Sequence, residues 1–380
     1  MYWNDHDRNG RTRFARPARS DLLFRAPGPL RTDGAGLPRL RPHTTRPAPG
    51  GEVRPMPAQP LDTTTATALV TAATAAPTLH NAQPWRFRFR SADRVLELRA
   101  DLDRAMPHTD PDNRALHLGC GAALCNLRVA AAHLGRSAEV RLLPDPADSH
   151  LLATVHIVDT DRPDGDLALL FPAIERRHTS REPFEDRPVP AGVQDALRDA
   201  AEREGALLVF PDLWHVESLL DDIRDVEGRD LVEPERLEEL RRWTRIGTES
   251  ADGIPERAFG PRKTGGRAPV RDFAGRRTVP GRPAAVFETT PHLALLGTID
   301  DHPADWLRAG QAMERVLLLA THHGLVTSLT SHSLEREDLR ALARDPGSAM
   351  GFVQMVLRLG YGPSGPGTPR RPIGDVLEIV

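Results

Sequence analysis

The chain has 380 residues, enough for two ordinary domains or one large one, because single hydrophobic cores stop growing near ~250–300 residues. Its 50 Lys and Arg nearly balance 53 Asp and Glu, and a formal charge of −3 gives no reason to expect nucleic acid, an anionic membrane or a strongly charged partner, which leaves a small molecule. The two cysteines, Cys120 and Cys125, exclude a disulfide framework or a structural zinc; with no apolar run near the ~18–20 residues of a membrane span and no signal-peptide core, the expected location is cytoplasmic.

Residues 1–58 are rich in Arg and Pro, poor in aliphatics and without helical or strand period, so burial cannot offset their ordering entropy and disorder is expected. A basic arm for nucleic acid and a start codon assigned upstream of the true one at Met56 are the other readings of this stretch. From Leu61 the pattern predicts an Ala-rich helix to about Ala75, a Pro-Thr turn, strands at 85–90 and 95–100, a helix at 114–134 and strands at 139–143 and 151–158. The Pro/Asp/Gly cluster VDTDRPDGD then marks a boundary, giving a first half at 59–165 and a second at 166–380.

The second half repeats the outline, with a helix at 192–204, strands at 206–210 and 292–299, a helix at 305–322 and a strand at 352–360. Two local matches support duplication. GAALCNLRVAAAHLG from Gly121 and GQAMERVLLLATHHG from Gly310 share length, bounding glycines and one apolar stripe, and ALVTAATAAP at Ala68 resembles ALRDAAEREG at Ala196 in the same order. Residues from about 228 to 285 have no counterpart in the first half. Trp243, Phe259 and Phe273 argue against simple disorder there, and a lid over a ligand is the preferred reading.

Three clusters carry candidate chemistry. APTLHNAQPWRF (residues 76–87) concentrates hydrogen-bonding groups; Asn81 and Gln83 offer the donors and acceptors that the edge of a planar heterocycle requires, although a polar turn capped by a buried Trp85 accounts for them equally well. In ERRHTSREPFEDRPVP, Arg176, Arg177 and Arg181 bracket Thr179 and Ser180, a set that fits a phosphate dianion or a solvated helix end. Arg370 and Arg371 form the third cluster, in GTPRRPIGDVL. His322, His323 and His332 do not make a metal site, because adjacent histidines on a helix cannot face one ion, so no metal is expected and surface or interface roles are preferred.

Taken in order, RRxTSRxxF, a PVP helix start, GLVTSLTS, a strand ending LGYG, and PRRP resemble an FMN-dependent nitroreductase from Glu175 to the C-terminus. APTLHNAQPWRF is similar to that family's P-S-x-x-N-x-Q-P-W motif at unbroken spacing, but it precedes the Arg motif instead of following it. This layout, with RWT and DGIP in the insertion, resembles the Acg-type branch. The resemblance implies an α+β, nitroreductase-like fold: two halves, each with a mixed or antiparallel sheet and helices, fused as an intrachain pseudo-dimer. It covers nearly everything after Leu61.

The same resemblance implies one FMN site assembled from both halves. Arg177, His178, Thr179 and Arg181 would grip phosphate and ribityl chain, Arg370 and Arg371 would add charge, and Pro77, Thr78, Leu79, His80, Asn81 and Gln83 would approach from the first half. Leu329, Thr330 and Ser331 align with the segment near flavin N5, where family members often carry Glu in place of Ser331; that exchange bears on redox tuning. No side chain is expected to act as acid or base. The implied activity is ping-pong reduction of nitro compounds or quinones by NAD(P)H through FMN, with no GxGxxG for a separate nicotinamide domain. The competing class is an FMN-storage protein with a closed lid. The expected assembly is a monomer (the pseudo-dimer) or a weak homodimer.

Overall fold

The computed structural model describes residues 62–230 and 232–380, with all their side chains except those of Glu337 and Asp338. The expectations placed on residues 1–58 fall outside the described residues.

Helix α1 (Thr63–Thr74) starts at Asp62, whose carboxylate accepts the amide of Thr65 at 2.8 Å and meets one of the orphan donors of a helix start. Strands β1 (Trp85–Arg90) and β2 (Val95–Ala100) pair antiparallel, and β1 buries Trp85, Phe87 and Phe89 while its arginines turn outward. Helix α2 (Arg114–His133) follows, then β3 (Arg136–Leu142) and β4 (Leu151–Asp159). Short helices α3 (Gly165–Ala168) and α4 (Phe171–Arg176) lead to α5 (Ala191–Glu202) and β5 (Leu207–Val209).

Residues 213–286 contain α6 (Leu213–Asp230), α7 (Pro234–Arg242) and two small parallel pairs, β6 (Thr244–Arg245) with β7 (Ile254–Pro255) and β8 (Arg262–Gly265) with β9 (Ala284–Val286). This insertion has an apolar centre of its own in Ile254, Ala258, Phe259, Phe273 and Ala274. The chain then returns through β10 (Leu293–Thr298), α8 (Pro303–His322), β11 (Val326–Thr330), a turn of helix α9 (Glu337–Arg340), β12 (Phe352–Gly360) and β13 (Leu377–Ile379).

The strands form two main sheets, in the orders β13-β1-β2-β4-β3 and β11-β12-β10-β5. All neighbours are antiparallel except β13, which runs parallel to β1, so the last strand of the second half completes the sheet of the first. One apolar core joins both halves through α2 and α8. At their crossing a Cβ on Gly121 would lie 2.3 Å from the carbonyl oxygen of Leu307, and one on Gly310 would lie 2.2 Å from that of Leu118. Each glycine meets the carbonyl three residues before the other, the reciprocal contact of a two-fold interface, so the α+β pseudo-dimer is present within one chain.

Two expectations need correction. Helix α2 is long and apolar enough to pass as a membrane span, with mean hydropathy 1.3, contrary to the reading that no such run exists; 89% of that window is buried inside the fold, where a core helix between two halves needs an apolar surface all round. The sequence expectations also lack the helix at Leu213–Asp230 and the strands at Val326–Thr330 and Leu377–Ile379; the two strands are short, at sheet edges, and carry too few residues to establish a period.

Candidate functional site

A cavity of about 280 Å³ lies among both halves and the insertion, close to the lower end of the roughly 300–1,000 Å³ typical of small-molecule sites. The first half contributes the turn 77–81 and the start of α2; the second contributes 177–181 and 328–335; Ile254, Pro269, Arg271 and Phe273 come from the insertion, and Arg370 from the tail.

The turn is held under backbone strain. His80, Asn81 and Gln83 have φ of 49°, 55° and 53°, a left-handed region that side chains disfavour, so the surroundings must fix them. Thr78 Oγ1 accepts the Gln83 amide at 3.0 Å, and Asn81 Nδ2 donates to the carbonyls of Gly253 and Pro369 at 3.0 and 3.1 Å. The insertion and the tail therefore tie down a turn that belongs to the first half.

Arginines dominate one side of the cavity. Arg177 Nε stands 3.3 Å from Glu314 Oε1, both buried, without the alignment of a hydrogen bond, and its Nη2 donates to Ala75 O at 3.2 Å. Arg370 donates to the carbonyls of Thr74 and Ala75 at 2.6 and 2.7 Å and to Asn81 Oδ1 at 3.1 Å. Arg181 donates to Ala258 O at 2.8 Å and lies 4.6 Å over the Phe273 ring. Burial, and then the neighbouring cations Arg177 and Arg271 respectively, pushes Arg370 and Arg181 each down to about 10. Among the described residues no carboxylate lies within ion-pair distance of either. Arg370 feels Glu314 only at longer range and spends its N–H groups on neutral oxygens, so two buried guanidinium charges without a contacting carboxylate remain, as an anion-binding wall requires.

The other side is organised by Arg271. Its Nη2 meets Glu335 Oε1 and Oε2 at 2.8 and 2.7 Å, and Ser331 Oγ donates to Glu335 Oε1 at 2.7 Å. Burial alone would raise the Glu335 carboxyl, but Arg271 holds it down to about 2. Arg271 Nη1 also approaches His80 Nε2 at 3.0 Å. Because arginine can only donate, Nε2 must accept, which puts the His80 proton on Nδ1. That Nδ1 has no partner, nor has either ring nitrogen of His332, although both rings are buried. Burial first, then Arg271, pushes His80 down to about 3, and the same causes hold His332 well below its ordinary value, so both are neutral. Each unmet buried donor costs roughly 1–3 kcal/mol.

No protein-family model matches the chain. A protein of Mycobacterium tuberculosis H37Rv with the provisional name NAD(P)H nitroreductase Rv3131 is 36% identical over 331 residues, 83% of this chain and 92% of that one. The chain belongs to the nitroreductase superfamily, in its Acg-like branch. A second relative from the same organism, provisionally named NAD(P)H nitroreductase acg, is 32% identical over 317 residues, covering 80% of this chain and 92% of its own. A crystal structure of a nitroreductase with bound FMN from Bacteroides fragilis NCTC 9343 aligns with 53% of this chain and 93% of that one, at 13% identity and a TM-score of 0.32.

In this nitroreductase chain, Pro77, Thr78, Leu79, His80, Asn81, Arg177, His178, Thr179, Arg181, Leu329, Ser331 and Arg370 all line the one cavity. Gln83, Thr330 and Arg371 do not. Gln83 is fully buried, donating to Ala251 O and accepting the Arg371 amide, both at 2.8 Å; Arg371 turns away toward Asp101 at 3.3 Å; and Thr330 Oγ1 donates to Pro269 O at 2.9 Å. All three brace the site from outside: Thr330 and Gln83 are held by carbonyls of the insertion, and Arg371 by Asp101 and the Gln83 side chain. His332 is corrected as well, from a surface or interface residue to a buried wall of the cavity. Among the described residues no group of three or more His, Cys, Asp or Glu side chains is arranged to hold a metal.

The sequence reading missed Arg114, Arg271 and Glu335. Arg271 lies in the insertion, which has no counterpart to align, and Glu335 is recognisable only once Ser331 is seen to bond to it. A carboxylate thus stands beside the position where the resemblance implied its loss, although Arg271 shares its charge.

Proposed function

We propose that this chain binds FMN in the shared cavity, with the phosphate at Arg177, Arg181 and Arg370, and that it is an NAD(P)H-dependent oxidoreductase acting on nitro compounds or quinones. The observation that carries this reading is the pair of buried guanidinium groups, Arg181 and Arg370, without a contacting carboxylate, Arg370 lying against the strained turn of the other half through Asn81. The residues fit such a group: two cations without a contacting carboxylate for a phosphate, Asn81 and backbone groups for polar edges, and Leu118, Met313 and Ile254 for an apolar ring. FMN, when bound, supplies hydride transfer, so the protein needs no acid or base for the central step.

The chain's own residues bind, orient and exclude water. Arg177, Arg181 and Arg370 anchor the charged end, while Phe273, Val270 and Ile254 bring an apolar roof from the insertion. That roof supports a second reading, storage of FMN, because Arg271 bonds at once to His80 of the first half and Glu335 of the second and so pins the insertion down. Trp243 packs against Ala82 and Met106 and is not among the cavity-lining residues.

One experiment separates the readings. The purified protein is expected to be yellow, and anaerobic NADPH should bleach it within the mixing time if it is a reductase. A flavin that stays oxidised would favour storage, and protein without FMN affinity would defeat both. Turnover through one pocket also predicts parallel double-reciprocal plots.

A further inference from the structure

A carboxylate lies directly behind the arginine wall of the cavity. Glu314, in the middle of α8, is fully buried, and neither of its oxygens accepts a hydrogen bond from the protein. Its nearest cation is Arg177, whose Nε stands 3.3 Å from Oε1 without hydrogen-bond alignment. Asn126 adjoins it from α2, also fully buried and with both amide atoms unbonded. Five buried polar atoms on three adjoining side chains, one of them a residue of the cavity wall, thus have no hydrogen-bond partner in the protein.

The pseudo-two-fold supplies a contrast. At the matching place by the end of α5, Glu204 accepts from Arg128 and Arg315 at 2.5 and 2.6 Å, the environment of a permanent counter-ion. Glu314 has none of this. Burial raises its carboxyl, and Arg177 first, then Asn126 and Arg370, offset that only in part. The other titratable group that faces it, Cys125 of α2, is pushed far up by burial and stays protonated. A buried carboxylate without hydrogen bonds keeps its charge only while a neighbouring cation needs it.

Arg177 is where two anions meet. It lines the cavity, with Nη2 on Ala75 O and Nε toward Glu314. A phosphate dianion brought to Arg177 and Arg370 satisfies both guanidinium groups and sets like charge beside the Glu314 carboxylate, in surroundings too apolar to screen it.

We propose that Glu314 is the exchangeable counter-ion of Arg177: ionised in the empty chain at neutral to alkaline pH, it takes a proton from solvent onto a carboxylate oxygen when the phosphate of FMN binds. The identity of that phosphate rests on the flavin reading. Linkage makes the effect reciprocal, so protonating Glu314 strengthens FMN binding by the same factor by which FMN strengthens the hold on that proton.

FMN, and riboflavin, which lacks the phosphate, are titrated calorimetrically into the full chain from about pH 6 to about pH 9, in buffers of different ionisation enthalpy that count the protons exchanged. At its maximum the wild type is expected to take up at least about half a proton more per FMN than Glu314→Gln, a difference in which the phosphate's own titration cancels. Riboflavin should show no such difference. At about pH 8.5 Glu314→Gln should bind FMN at least tenfold more tightly than the wild type, because no carboxylate then opposes the phosphate. The wild type alone gives an independent readout: infrared difference spectra should show a protonated-carboxyl band on adding FMN that riboflavin does not produce. His178, half-buried beside Arg177 and Arg370 and lowered by burial and then by both, is the other group there that phosphate could protonate, and His178→Gln should keep the extra proton. Equal proton counts in wild type and Glu314→Gln, weaker FMN binding by Glu314→Gln, absence of the carboxyl band, or uptake lost in His178→Gln instead would each overturn the proposal. FMN bound without that proton would overturn this proposal alone, whereas a chain without affinity for FMN would overturn the flavin reading with it.

Discussion

Arg181 is the residue whose environment says most about a ligand. It is buried, shares one N–H with a carbonyl and lies over Phe273, yet meets no carboxylate among the described residues. Removing its charge should remove one charge-assisted hydrogen bond, worth about 1.5–3 kcal/mol, so Arg181→Gln is expected to weaken FMN roughly ten- to a hundredfold in a fluorescence titration. Glu335 behaves differently, because its partner is within the protein. Its carboxyl is lowered from 4.5 to about 2, so the stability it contributes is fully present above the unfolded value and is lost as pH falls from about 4.5 through about 2. The protection of amides in residues 254–273, taken relative to their intrinsic exchange rates at each pH, should therefore fall across that window in the wild type. In Glu335→Gln that protection should already be low at pH 7 and should lose this dependence on acid.

At the scale of elements, the α2–α8 crossing fixes how the halves meet. The Cβ clash at Gly121 is with a backbone carbonyl, which cannot move aside as a side-chain tip could. Gly121→Val is expected to cost at least the roughly 1–3 kcal/mol of an overpacked core, read as a lower urea midpoint. These glycines were legible as repeat boundaries in the sequence. Their role as the point of contact was not, since a repeat gives equivalence but no distance. Similarly Asn81 and Gln83 belong to one dense motif, but only Asn81 lines the cavity; Gln83 points into the backbone of residues 251 and 371. Sequence proximity grouped them and a single change of backbone direction separated them.

Across the whole molecule, duplication has left two places of unequal character. At the end of α1 the carbonyls of Ala75 and Ala76 receive Arg370, beside the cavity. At the matching end of α5, Glu204 binds Arg128 at 2.5 Å and Arg315 at 2.6 Å, so the cations there already have a counter-ion. One FMN per chain is therefore expected in equilibrium dialysis, and a stoichiometry of two would contradict this account.

Periodicity and composition by themselves determined the two-half plan, the helices α1, α2, α5 and α8, most strands and the residue types of an anion site, because apolar spacing and guanidinium chemistry are local properties. The tertiary structure alone decided which members of each motif reach the cavity, that β13 crosses to the other sheet, and that Arg271 from an unalignable insertion links His80 to Glu335. Those outcomes depend on side-chain direction and on contacts between residues far apart in the chain, and neither is encoded in local spacing.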